Sequence, residues 1–186
     1  MWDPDQVNRV KQVISNLPVL HGAVSIDGCV AAGKSSIVSA TASYSHTCPH
    51  DTIFALEPVH KWLPELTTFL QYQVDPACAH SLKHKQMLCN ALEHKCFSSN
   101  HHALRDERAL AAYGIPLPCV TIIERHRALG VLVFAFREAI SQPPLLSKQD
   151  FMSLCTLIEK QSALPANFIH INTPQHNALH ALSQER

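Results

Sequence analysis

Val24-Ser-Ile-Asp-Gly-Cys-Val-Ala-Ala-Gly-Lys-Ser-Ser36 is the stretch on which the architecture turns. Within it, Gly28 to Ser35 reads G-x-x-x-x-G-K-S, the pattern of a loop that wraps phosphate groups. The glycines permit a tight loop whose N–H groups point inward at phosphate oxygens. Lys34 can carry a positive charge to the outer phosphates, and the Ser35 hydroxyl suits a magnesium ion. A helix that starts here adds its positive end. The flanks supply the setting the motif requires. Ala23 to Ile26 is apolar and partly β-branched, which predicts a strand, and Ile37 and Val38 continue into a helix. The alternative is a chance match in an ordinary strand–turn–helix. The loop of Gly28, Cys29, Val30, Ala31, Ala32, Gly33, Lys34, Ser35 and Ser36 therefore implies binding of a nucleoside triphosphate.

Ahead of the loop, Asp3-Pro4-Asp5-Gln6 opens a helix with an Asp cap and a proline in the first turn. Val7, Val10, Ile14 and Leu17 share one face, and Pro18 ends the run. The strand into the loop spans 19–26. Beyond the loop, Thr52 to Leu56 reads as a buried second strand. It runs into Glu57-Pro-Val-His-Lys-Trp62. In parallel sheets, ligands bind at the carboxyl ends of strands. Glu57 is therefore a candidate to take a proton from an attacking hydroxyl or to place a metal, against the plainer reading of a solvated loop residue. Residues 66–100 read as two helical pieces broken near Asp75-Pro76. Arg105 to Ala112 reads as a short helix stopped by Gly114 and Pro116.

Cys119-Val-Thr-Ile-Ile123 is the clearest buried strand. It ends on Glu124-Arg125-His126, the place where phosphate-loop proteins keep a magnesium carboxylate. The helix over 127–141 is apolar nearly all round, which predicts extensive burial. Ser147-Lys-Gln-Asp150 opens another helix, with Phe151, Leu154, Cys155 and Ile158 on its apolar face. Asn167 to Ile171 is a fourth strand, and Thr173-Pro174 opens a last helix.

Composition narrows the classes. The 186 residues are 46% hydrophobic and 16% charged, which predicts one folded domain over 1–186 rather than long disordered tails. The formal net charge is +0 with no basic block, so nucleic acid is not the expected partner. No run of about 18 apolar residues occurs, so no membrane partner is expected. Asp3, Asp5, Arg9 and Lys11 do not make a secretory leader, and an intracellular protein is expected. The 7 cysteines, irregularly spaced, read as reduced and mostly buried thiols. Cys78, His80, Cys89, His94, Cys96, His101 and His102 invite a zinc reading, but no C-x-x-C pair or standard zinc spacing supports it.

Three signals stand in order: Ile26-Asp-Gly-x-x-x-x-Gly-Lys-Ser35, Glu57-Pro-Val-His-Lys-Trp62 and Glu124-Arg-His126. Together they resemble the viral nucleoside kinases, most closely the herpesvirus thymidine kinases within the wider deoxynucleoside kinase family. Ile26-Asp27-Gly28 and Glu124-Arg125-His126, followed by Leu129, Phe134 and Arg137, favour the viral branch. Leu164 to Ile171 with Thr173 to His176 also looks like the family's fourth strand and following helix. The resemblance implies a phosphate-loop αβα sandwich of three layers on a parallel sheet. It places the family's last strand and lid beyond Arg186, so a fragment, a truncated product or a reduced member is expected.

By position, the resemblance implies a base at Glu57, a phosphate cation at Lys34, and an acceptor-holding arginine at Arg125. Magnesium falls to Ser35 and Glu124, where the viral family commonly has Asp. The pocket falls to Trp62, Gln86, Phe134, Arg125 and Arg137; the amide of Gln86 can pair with thymine. Arg137 lies one residue from the family's base-side arginine, and Cys89 replaces a larger apolar residue. The implied activity is transfer from ATP, with Mg2+, to the 5′-hydroxyl of thymidine or a related deoxynucleoside, in the host cytoplasm or nucleus. The alternatives are a catalytically impaired nucleotide- or nucleoside-binding remnant and a nucleoside-monophosphate kinase. The family is often dimeric, so helix 127–141 is a candidate homodimer interface, against burial in the core.

Overall fold

The β-branched runs pair as parallel strands. A computed structural model of the chain describes residues 3–29, 31–44, 52–75, 81–99, 107–114 and 120–172. Four strands, β1 (Val19–Gly28), β2 (Thr52–Ala55), β3 (Val120–Glu124) and β4 (Leu164–Ile171), form one sheet in the order β2-β3-β1-β4. Every pairing is parallel. The described helices are α1 (Pro4–Asn16), α2 (Lys34–Ser43), α3 (Val59–Val74), α4 (Leu82–Ser98), α5 (Glu107–Ala112), α6 (Arg127–Ala139) and α7 (Lys148–Gln161). The chain is thus an α/β phosphate-loop fold on a parallel sheet. Its described elements fall into two compact units, one holding the sheet with α2 and α5, the other holding α1, α3, α4, α6 and α7.

In the sheet unit, successive strand residues point to opposite faces. Ala23 and Ile123 lie in a buried cluster with Leu20 and Ala163, against which Leu110 and Ala111 of α5 pack. The next residue of β3, Glu124, bonds instead to Ser35 of α2. The two helices therefore lie on opposite faces, and this unit has three layers. In the helical unit, α7 begins as its sequence predicts. The Ser147 Oγ accepts from the Asp150 N–H at 3.1 Å and donates to Asp150 Oδ2 at 2.6 Å. Phe151, Leu154, Cys155 and Ile158 are its buried face. Arg9 of α1 pairs with Glu159 of α7 at 2.6 Å. The Arg127 guanidinium of α6 stacks 4.7 Å from the Phe97 ring of α4.

Several expectations need correction. In α1 the buried positions are Gln6 and Val13, while Ile14 is 39% exposed. Leu17 of the expected face is buried and Val7 and Val10 are half-buried, so the buried side is turned by part of a helical turn toward Gln6 and Val13. The second strand is not buried: β2 is outermost among the described strands, with Ile53 41% exposed. α3 starts at Val59 rather than near 66, and carries Pro64 inside it. Pro64 stands past the first turn, where a proline removes one backbone bond and crowds the carbonyl four residues back. α6 is buried on one side only, since Val133 is 67% exposed. β4 starts at Leu164, and its Pro165 is tolerated because the strand is outermost among those described. Cys29 is exposed, while Cys89 and Cys155 are buried free thiols. The helix expected after Thr173 lies outside the described residues, as do Cys48, Cys78 and Cys119.

Candidate active site

Strand order locates the site. β1 leads on to β2, which lies beyond β3; β3 leads on to β4, which lies beyond β1. Connections leave these two neighbours in opposite directions. The crevice outside the carboxyl ends of such strands is where open parallel sheets bind ligands. Gly28 ends β1 and Glu124 ends β3, and Ile26 is in register with Glu124.

The loop between β1 and α2 has the backbone its glycines allow. Gly33 precedes α2 with φ 81 and no side-chain cap, and a Cβ there would meet nothing within 4 Å. The start of α2 is thus left open in front of its first N–H groups, and its first turn carries no acid. This open cradle at a helix N-terminus fits phosphate oxygens. Gly28 is required for another reason: at φ +156, a Cβ would come 2.8 Å from the Ile171 carbonyl oxygen of β4. That obstacle is backbone and cannot swing away. Ala31 is left-handed at φ 60 without being glycine, which costs about 1–3 kcal/mol. Val30 lies outside the described residues.

Lys34 is buried, and its Nζ donates to the Cys29 carbonyl at 2.8 Å. Burial, then the nearby Arg125, lowers its pKa, while Glu57 and Glu124 oppose the shift. Ser35 Oγ donates to Glu124 Oε1 at 2.5 Å, and the Glu57 N–H donates to Glu124 Oε2 at 3.2 Å. The Glu57 carboxylate lies 3.5 Å from Arg125 Nη1. Arg125 Nη2 donates to the Gly28 carbonyl at 3.4 Å. Burial raises the Glu57 pKa above the usual carboxylate range, and the Arg125 guanidinium pulls it back down. Arg125 itself sits in a left-handed turn, φ 51.

Lys34, Ser35, Glu57, Glu124 and Arg125 thus meet at one end of the sheet unit. The other expected residues belong to the helical unit. Trp62 is half-buried on α3. Gln86 on α4 donates through Nε2 to the Pro144 carbonyl at 3.1 Å. Arg137 stacks 5.2 Å from the Phe134 ring and pairs with Glu138 at 2.6 Å. The hydroxyl of Ser35 and the carboxylate of Glu124 are hard oxygens, a donor set that fits magnesium shared with a phosphate chain. Among the described residues, no three His, Cys, Asp or Glu side chains group as a metal cage.

Two buried acids have no motif to announce them. Glu107 of α5 is wholly buried, 3.4 Å from His126 Nε2, and accepts from the Ala163 N–H at 3.3 Å. In sequence it sits in the polar run Arg105-Asp-Glu-Arg108, which reads only as part of a short helix. Glu93 is buried in the helical unit, where burial first, and then the Glu138 charge, push its pKa up to about 8 against the pull of Arg137. Its spacing from Gln86 and Cys89 along α4 was the available signal.

No family model matches the chain, and no curated protein matches it. Among solved structures, it is similar to deoxyadenosine kinase from M. mycoides, determined with the products dCMP and a flexible dCDP bound. The TM-score is 0.52 at 18% identity, over 87% of this chain and 70% of that one. At that identity the likeness shows the fold, that of a solved deoxynucleoside kinase.

Proposed function

We propose that this chain transfers the γ-phosphoryl group of ATP to the 5′-hydroxyl of a deoxynucleoside, with thymidine the acceptor its sequence pattern favours. One observation carries the reading. A half-enclosed carboxylate, Glu57, stands 3.5 Å from the Arg125 guanidinium and is tied through Glu124 to Ser35 of the phosphate loop. A base, an acceptor-orienting cation and a phosphate cradle therefore share one end of the sheet. The fold of a deoxynucleoside kinase supports the class, and the sequence pattern at 26–35 and 124–126 supports the viral branch.

The loop from Gly28 to Ser36 holds the phosphate chain through backbone N–H groups, and Lys34 offsets its charge. Magnesium, when bound by Ser35 and Glu124, offsets charge on the phosphate oxygens. Arg125 holds the acceptor hydroxyl, and Glu57 takes its proton. Burial makes Glu57 a stronger base once ionised. The sequence resemblance assigns the nucleoside itself to Trp62, Gln86, Phe134 and Arg137.

The test is transfer of label from ATP to thymidine, other deoxynucleosides and thymidylate, beside Lys34→Ala and Glu57→Gln. Thymidine should be labelled, and each substitution should lower kcat by about 100- to 1,000-fold. Label on thymidylate alone would make the chain a monophosphate kinase. Label on no acceptor would overturn the proposal.

A further inference from the structure

The turn that aims Arg125 is anchored from behind. Arg125 is a non-glycine residue at φ 51, and such a conformation persists only where its surroundings over-determine it. On one side, Arg125 N–H donates to the Ile26 carbonyl at 3.0 Å. On the other, the next residue is fixed twice. The His126 N–H donates to Ser25 Oγ at 3.1 Å, and Ser25 Oγ in turn donates to Asp27 Oδ2 at 2.5 Å. The His126 ring, 1% exposed, lies with Nε2 3.4 Å from Glu107 Oε2. Glu107, 0% exposed, is itself held by the Ala163 N–H ahead of β4.

We propose that Glu107 and His126 are a positioning pair for Arg125: their buried contact holds the left-handed turn that sends the guanidinium toward Glu57. Neither residue touches a reacting atom. Three features favour this over simple packing. Two polar side chains are placed in a fully buried layer where apolar ones would pack at less cost. Neither His126 ring nitrogen makes a hydrogen bond among the described residues, and the Glu107 carboxylate lies 3.4 Å from Nε2. The pair also stands one residue from the strained turn. Without the anchor, Arg125 would relax to an extended or right-handed conformation and its side chain would leave the acceptor. The inference rests on the proposed role of Arg125.

The experiment compares His126→Gln, whose amide nitrogen reaches the place of Nε2, with His126→Asn, whose amide stops near Nδ1. The primary readout is the Arg125 Nε–H signal in a nitrogen–proton NMR spectrum, assigned by its loss in Arg125→Lys. It needs no turnover. The signal should keep its wild-type position in His126→Gln and shift or broaden away in His126→Asn. In parallel, His126→Asn should lower kcat by about 10- to 100-fold, the scale of a small misplacement of a catalytic group, with KM for ATP within about twofold of wild type. If the two amides behave alike, whether both intact or both altered, the pair does not position Arg125. Should His126→Asn fail to fold, Glu107→Gln against Glu107→Leu reads the same contact from its other end, with the same two outcomes. An intact NMR contrast in a chain that phosphorylates nothing would remove the kinase reading and leave the positioning pair standing.

Discussion

Glu57 is a carboxyl group whose burial makes its ionisation costly to the fold. Burial lifts its carboxyl above the ordinary glutamate value of 4.5, and Arg125 is the main group opposing that lift. In the proposed reaction Glu57 acts as a general base, which works only when ionised. Turnover should therefore fall away on the acid side at a higher pH than an ordinary glutamate would give. Arg125→Gln should move that limb higher still in the residual activity, because the opposing charge is gone; a pH–rate profile reads both. The same shift sets the sign for stability. The fold favours protonated Glu57, so its stabilising contribution is present below 4.5 and is lost as pH rises through the raised value. Once ionised, Glu57 weakens the fold. Glu57→Gln is expected to leave the melting temperature unchanged or higher at pH 7 while removing turnover.

Elements in this chain begin and end where short polar side chains and backbone conformation dictate. α7 is the plainest case. Ser147 satisfies the free Asp150 N–H, and Asp150 answers the Ser147 hydroxyl. Ser147→Ala should lower unfolding stability by about 1 kcal/mol, read from urea denaturation, because a helix cap is lost without any change in buried apolar surface. Thr at 147 should retain most of it. α2 is the opposite case, with Gly33 before it offering no side-chain cap. An element that gives up local stabilisation at its start is open to a ligand there, which is what the phosphate reading requires.

At the scale of the whole molecule, pH should move stability through Glu93. Burial and the Glu138 charge push its pKa from 4.5 to about 8. A raised folded value means stability fully present below 4.5 and lost progressively as pH climbs to about 8. The melting temperature should therefore decline across that window and level off above it. In Glu93→Gln the decline should be shallower, since the amide has nothing to titrate. A melting series from pH 5 to 9 on both proteins makes the comparison, and equal slopes would show that Glu93 is not the group responsible.

By itself the sequence determined the strand–loop–helix at Val19 to Ser43, the strand ending on Glu124, and the capped helix after Ser147. These are local matters: glycine conformation, β-branching and a serine cap act over a few residues. It also named Lys34, Ser35, Glu57, Glu124 and Arg125, because motif chemistry ties residue type to spacing. What only the tertiary structure decided is nonlocal. The order β2-β3-β1-β4 depends on pairings between distant segments, and it left β2 outermost among the described strands where the apolar run had suggested a core strand. The buried side of α1 depends on what packs against it; Gln6 and Val13 face inward although the periodicity favoured Ile14. The meeting of Glu107 with His126 joins a short helix to the turn after β3, and no local pattern encodes it. Burial is a property of neighbours, and neighbours far apart in the chain become known only when it folds.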